Sequence, residues 1–262
     1  MNLQRIKGVY LQEFYITKRS IETLFDIVII PILNIIVFGF LSIYLAGGGN
    51  TTASNTVLMG MLLWQTLFVM QYSITVPSLW NIWSRNLSNM FVSPLTVREY
   101  ITAHAVTGMI KTIALLIIST IAINYYFNFN LLQLGVLPLI FIIFNLILFG
   151  ITLGILLLGF IFRFGTKIQA LAWGFISILQ PLVAAFYPVE ILPPIIRYVS
   201  YILPPTYIFE ASRELLSKQG NGFNYLLFST ILSFIYLILA GFAFNKFFQK
   251  SKESGQFARN EA

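Results

Sequence analysis

The sequence predicts an all-α integral membrane protein with six transmembrane helices. It also predicts an amino-terminal interfacial helix and short re-entrant or interfacial helices between spans five and six. Three observations lead there. Hydrophobic residues make up 58% of the 262 positions and charged residues only 10%, with a mean hydropathy of +0.83, far from the roughly quarter-charged soluble average. The apolar residues gather into six long runs. The basic residues fall almost entirely on one side of those runs.

The runs are Leu24–Leu45, Val57–Val76, Val106–Tyr126, Gly135–Phe162, Ile168–Tyr187 and Tyr225–Phe247. Each holds about 20 or more mostly apolar residues, enough at a 1.5 Å rise to cross a hydrocarbon core of about 30 Å. The fourth is long enough to tilt. With both termini inside, Arg5, Lys7, Lys18, Arg19, Arg85, Arg98, Lys111, Arg163, Lys167, Lys246, Lys250, Lys252 and Arg259 are internal, and only Arg197, Arg213 and Lys218 are external. That asymmetry follows the positive-inside rule and favours an even number of spans. The expectation is a multi-pass cell-membrane protein with both termini cytoplasmic. The formal net charge of +7 then reflects cytoplasmic anchoring and attraction to anionic lipid heads, with no nucleic-acid partner needed. Zero cysteines exclude disulfides and thiolate metal sites. The polar, charged first 22 residues do not read as a cleavable signal peptide.

The connecting segments have their own patterns. In residues 1–20, Leu3, Ile6, Tyr10 and Phe14 recur at helical spacing, as in a basic amphipathic helix lying in the interface plane. Residues 78–105 form the largest internal loop. There Ile82, Arg85, Asn86 and Asn89 are expected to share one face of a short helix, with Leu87, Met90 and Phe91 on another. Pro94 ends that helix, and Thr96 with Glu99 opens the next by a capping box. Such a compact protruding element suits a soluble docking partner. The outer segment 188–224 carries proline pairs at 193–194 and 204–205, which break it into pieces too short to cross. Thr206 is expected to cap a helix Tyr207–Lys218 that brings Glu210, Arg213 and Glu214 together. The three form either an outer gate or a self-paired charge cluster.

These segments resemble the membrane subunits of type-2 ABC exporters, the six-span permeases of drug, lipid and polysaccharide export. The stretch NMFVSPLTVREYITAHAV (Asn89–Val106) is similar to the family's pattern after span two. FYPVEILPPIIRYVSYILPPTYIFEASREL (Phe186–Leu215) is similar to its pattern before the last span. The resemblance covers the whole chain as a single domain, 1–262. Two departures stand out: Trp83, Ser84, Arg85 and Asn86 replace an acidic run, and Pro204-Pro205 replaces Asn-Pro. The resemblance implies a homodimer or a pair with a sister permease, joined to two cytoplasmic ATPase subunits that bind ATP and Mg. It implies ATPase coupling through Arg85, Asn86, Asn89, Met90, Phe91 and Arg98.

The chain itself lacks a phosphate-binding loop. Gly165-Thr166-Lys167 has no upstream glycine spacing, so no ATP hydrolysis, catalytic residue, metal or cofactor is expected here. No charged residue stands at the middle of a span, which disfavours an ion-coupled transporter and a charged-ring channel. The path is therefore read as apolar and aromatic, suited to an amphiphilic or lipid-like cargo. Asn34, Gln65, Gln71 and Gln180 are its candidate lining, and with Asn145 they alternatively bond neighbouring helices. Lone His104 reads as an interfacial residue, and Glu22 and Asp26 as helix-entry charges. Lys111 reads as a snorkelling side chain, Gly150 and Gly154 as a close-approach pair, and Pro31 and Pro181 as kinks. The alternatives are a polysaccharide or lipid-linked glycan exporter, or a membrane scaffold without transport.

Overall fold

The computed structural model describes residues 1–254 except Gln219 and Asn221; Arg259, counted among the internal charges, lies outside them. Every regular element among the described residues is helical. The first helix, α1 (Leu3–Arg19), is capped by Asn2, whose side chain accepts from the Gln4 N–H, and it stops at Ser20. Ser20 in turn caps the next helix by accepting from the Thr23 N–H. That helix, α2 (Ile21–Gly47), contains a π-helical turn at Phe25–Ile29. The wide turn sits just ahead of Pro31, where a backbone donor is missing.

A second long helix, α3 (Thr51–Trp83), is capped by Asn50 and runs through Pro77. The sequence reading ended this span at Val76. Proline is tolerated here because surrounding helices shield the freed carbonyl from lipid. The internal loop is correspondingly shorter than 78–105, spanning only 84–96 around a short helix α4 (Leu87–Val92). The expected capping box is present: the Thr96 hydroxyl accepts from Glu99 N–H and the Glu99 carboxylate from Thr96 N–H, opening α5 (Val97–Phe127). Helix α6 follows (Val136–Phe164), then α7 (Ala170–Leu182), α8 (Pro194–Ile202), α9 (Pro204–Ser217) and α10 (Phe223–Glu253).

Among the described residues, five helices, α2, α3, α5, α6 and α10, are long and apolar enough to cross a membrane. The expected fifth span, Ile168–Tyr187, is helical only as the 13-residue α7. Its apolar run is interrupted by Pro181 inside the helix and by Ala184 at a left-handed φ of 51°. At a 1.5 Å rise α7 covers about 20 Å, short of a bilayer core by itself.

The core is organised around α3. In its most apolar window 94% of residues are buried, against 22% for α2 and for α10. This central helix is also the least apolar of the five, because a helix surrounded by protein can carry hydroxyls and amides that lipid would not tolerate. Its hydroxyls bond back along the helix: Ser73 to the Val69 carbonyl, Ser78 to that of Ile74, Thr66 to that of Leu62. The pair Gly150 and Gly154 presses α6 onto it. A Cβ at Gly150 would stand 2.7 Å from Met70 Cβ, and one at Gly154 2.8 Å from Ile74 Cβ.

Outside this bundle, α9 buries Ile208, Phe209 and Ala211 against α10 and α6. By contrast α8 leaves Ile195, Tyr198 and Ile202 exposed. Thr206 is not a cap: it lies within the first turn of α9, where Pro204 and Pro205 open the helix, and its hydroxyl donates to the Ser200 carbonyl at 2.6 Å. That bond fixes the corner between the two short helices.

Candidate functional site

Polar side chains from three helices meet in a cavity of ≈ 240 Å³ between α2, α3 and α7. Asn34 comes from α2, Gln65 from α3, and Ser177 and Gln180 from α7, with Phe38, Trp64, Phe68 and Phe186 among the walls. The rings of Phe38 and Phe186 stack at 4.6 Å between centroids. Gln65 is held in place: its Nε2 donates to the Pro31 carbonyl at 3.1 Å and its Oε1 accepts from the Ser119 hydroxyl at 3.5 Å. Asn34 and Gln180 are half-buried, and among the described residues their amides stay available to whatever enters the cavity. Three of the four amides named from sequence therefore share one wall.

The fourth does not. Gln71 is fully buried, and its Nε2 donates to the Thr75 hydroxyl at 2.7 Å and to the Ala172 carbonyl at 3.0 Å. It ties α3 to α7 away from the cavity. Asn145 is likewise an interhelical bridge, donating to the Phe141 carbonyl and accepting from Thr230 of α10.

At the basic end of α3 the chain makes a tight reversal. Asn86 N–H bonds the Asn81 carbonyl at 2.9 Å and Arg85 N–H bonds that of Ile82 at 3.0 Å, the pairing of a Schellman motif. Arg85 takes the left-handed position with φ 54°, where glycine is the usual residue. The expected shared face of Ile82, Arg85, Asn86 and Asn89 is thus not formed. Ile82 is buried within α3, Arg85 sits in the turn, and Asn86 stands just before α4 with no side-chain capping bond to it. Outward-facing residues here are Arg85, Asn89 and, at the start of α5, Arg98. Met90 and Phe91 face inward instead, Phe91 against Tyr100 and against Phe248 of α10.

One buried amide joins this turn to the rest of the bundle, and the sequence reading missed it. Asn81 Oδ1 accepts from Gln12 of α1 at 3.0 Å and from Asn86 at 3.4 Å, while its Nδ2 donates to the Tyr100 hydroxyl at 3.1 Å. Tyr100 also bonds Ser78 at 3.0 Å. Four elements, α1, α3, the turn and α5, are therefore connected through the side chains of Gln12, Asn81, Asn86 and Tyr100. Polarity at position 81 was the available signal, hidden because the span was ended seven residues too early.

The amino-terminal helix packs on α5 through a face that differs from the expected one. Val9 and Glu13 are the buried positions, while Leu3 and Phe14 are exposed. Glu13 Oε2 lies 3.8 Å from Lys111 Nζ, both side chains being at most a tenth exposed. Burial pushes the Glu13 carboxyl up to about 7, against the opposing pull of Lys111. Lys111 thus reaches a partner rather than water. At the end of α1, Arg5 pairs with Glu99 at 3.6 Å and donates to the Pro94 carbonyl.

Two further expectations are corrected. His104 is fully buried, edge-on to Tyr100 at 4.4 Å between centroids, and not interfacial. Asp26 is not merely a helix-entry charge, since it accepts from the Tyr72 hydroxyl at 2.7 Å. On the other side of the bundle, Arg213 pairs with Glu210 at 2.6 Å. Arg213 also donates to the Ala184 carbonyl, and Glu210 accepts from Val189 N–H. Those bonds clip α9 to the segment after α7, and Glu214 takes no part in them.

The whole arrangement is a helical membrane bundle with a polar-lined, aromatic-walled cavity, a clamped turn at its basic end and broken helices opposite. No curated protein matches the chain. Residues 5–217, however, match the family model of the ABC-2 type transporter. The match extends over well more than half of the sequence, and the chain belongs to the ABC-2 type transporter family of membrane proteins.

Proposed function

We propose that this protein is the permease subunit of an ATP-driven exporter, coupled to a separate cytoplasmic ABC ATPase and moving an amphiphilic or lipid-like cargo. Family membership makes it a multi-pass membrane transport subunit. The observation that carries the rest is the turn after α3. A non-glycine residue held at φ 54° on an exposed tip costs roughly 1 kcal/mol relative to glycine. Retaining Arg85 there suits a side chain required by a partner. Outward-facing Arg85, Asn89 and Arg98 would receive the ATPase, and Asn86 with Asn81 would transmit its movement to α1, α3 and α5.

In this reading α7, together with the segment clipped by Glu210 and Arg213, completes a sixth crossing, so both termini are cytoplasmic. The working unit contains two permeases, identical or paired with a sister chain, and two ATPases that hold ATP and Mg. Cargo enters at the cavity of Asn34, Gln65 and Gln180, whose walls carry no charge and so favour uncharged, hydrogen-bonding amphiphiles over ions.

Two variants test the coupling. Arg85→Gly should relieve the backbone and keep the fold, yet lower ATPase association, measured by binding to the partner in detergent, by about tenfold. Charge reversal of Arg85 and Arg98 together should lower it further. Unchanged association in both would remove the turn from the coupling role. Independently, Asn34→Leu with Gln180→Leu should leave unfolding temperature nearly unchanged but lower cargo-stimulated ATP turnover. Unchanged stimulation would move the path elsewhere.

A further inference from the structure

A second cavity, ≈ 970 Å³ in volume, opens where the amino-terminal end of α1 meets α5, α6 and α10. Its floor is apolar, built from Ile101, Ile155, Gly241, Phe244 and Phe248. Its rim is polar: Arg5, Arg98 and Glu99 lie on one side and Asn245 on the other. The Glu99 carboxylate is already committed, accepting from Asn2 N–H at 2.6 Å and from Thr96 N–H at 2.9 Å, with Arg5 at 3.6 Å. Two guanidiniums against one carboxylate leave the rim positively charged. Among the described residues, the Arg98 guanidinium and the Asn245 amide take no part in any hydrogen bond or ion pair.

The depth of the groove is set by α10. No charged residue occurs in that helix before Lys246, after which Lys250 and Lys252 follow. The floor stands on its last uncharged turns, so the rim lies where hydrocarbon gives way to the basic, water-facing ends of the helices.

We infer that this groove binds one anionic phospholipid of the leaflet facing the basic side. The phosphodiester sits against Arg98, beside Arg5, with Asn245 donating to the head group. An acyl chain lies over Ile101, Gly241 and Phe244. Charge complementarity selects the head group, because a net-anionic phospholipid complements the positive rim and a zwitterionic one brings its own cation. The apolar floor and the volume select a lipid over free phosphate, which has nothing to place on Phe244 or Ile155. Because Arg5 also holds the Pro94 carbonyl of the docking turn, the lipid would brace α1 and that turn as one unit. The inference stands on the membrane-spanning fold and is independent of the cargo path; it shares Arg98 with the ATPase-docking reading, so lipid retention is read on the permease without its ATPase.

The test is native mass spectrometry of the full chain, delipidated in mild detergent and titrated with phosphatidylglycerol, phosphatidylcholine or glycerol 3-phosphate. Retention of one phosphatidylglycerol per chain in preference to phosphatidylcholine is expected. Arg98→Gln with Asn245→Ala should weaken that retention about fivefold. Gly241→Leu should weaken it as well. A Cβ at Gly241 meets nothing within 4 Å, so this variant fills the floor without disturbing the fold. Equal retention of phosphatidylcholine, or unchanged retention in both variants, would overturn the proposal. So would displacement by glycerol 3-phosphate, which would mark a soluble-anion site, or a lipid-free dimer, which would mean a second copy covers the groove.

Discussion

Gly60→Val is expected to abolish the folded state in detergent, seen as loss of the monodisperse peak on size-exclusion chromatography. Gly60 lies in the middle of α3, where a Cβ would stand 2.2 Å from the Ala185 carbonyl oxygen and 3.2 Å from its carbon. The obstacle is backbone, not a side chain that can rotate away. Ala185 also belongs to the segment that Arg213 and Glu210 clip onto α9, so it cannot retreat without breaking those bonds. Overpacking of a tight interior costs about 1–3 kcal/mol when side chains give way, and more when they cannot. The matched control is Gly174→Ala in α7. A Cβ there meets nothing within 4 Å, and alanine gains helix propensity of about 1 kcal/mol, so unfolding temperature should hold or rise. Equal behaviour of the two variants would show that α3 does not approach the Ala185 segment this closely.

The second large effect concerns the clamp under α1. Lys111→Met is expected to destabilise the protein by about 3 kcal/mol at pH 8, because it leaves the Glu13 carboxylate buried without its counter-charge. The pH dependence follows from Glu13 itself. Its carboxyl lies near 7 when folded, above the ordinary carboxylate value of 4.5, so the folded protein binds this proton more tightly. The stability gained is fully present below about 4.5 and is lost as pH rises through about 7. Removing Lys111 removes the pull that opposes desolvation and carries the folded value higher still. The deficit of Lys111→Met relative to the parent should therefore be smallest near pH 5 and grow toward pH 8, read by thermal unfolding across that range. Near Glu13 on the packed helices stand Lys111 and Tyr100 of α5 and Tyr72 of α3; Lys111 is the only cation among these three. A deficit independent of pH would assign Lys111 a packing role without charge pairing.

Much of this architecture was legible because lipid imposes a coarse code. Long apolar runs had to be helices, and five of them are. The same code is less decisive at α7, where apolarity continues past Leu182 and Ala184 although the helix ends at Leu182. It fell short at Val76, where the apolar run ends although α3 continues through Pro77 to Trp83. In both places the deciding factor is whether neighbouring helices cover the backbone, which local composition does not record. Capping chemistry is short-range, and so the Thr96 and Glu99 box was read correctly.

The site residues divide along the same line. Polarity within apolar runs pointed equally to Asn34, Gln65, Gln71 and Gln180. Only packing separates Gln71, turned toward Ala172, from the three that share a cavity. Glu13 gave no signal at all, since its partner lies 98 positions away on another element. Asn81 was hidden by the misplaced end of α3. The turn itself was located within a few residues, but its left-handed Arg85 requires the hydrogen-bonded geometry of the helix end.

The central claim, an export permease worked by a separate ATPase, is tested most directly by affinity purification of the tagged chain from its native membranes with quantitative mass spectrometry. The account predicts one soluble ABC ATPase recovered per permease, depleted when Arg85 and Arg98 are both reversed in charge. Intact, folded permease recovered reproducibly without any ATPase under mild detergent would contradict it and favour a membrane scaffold without transport.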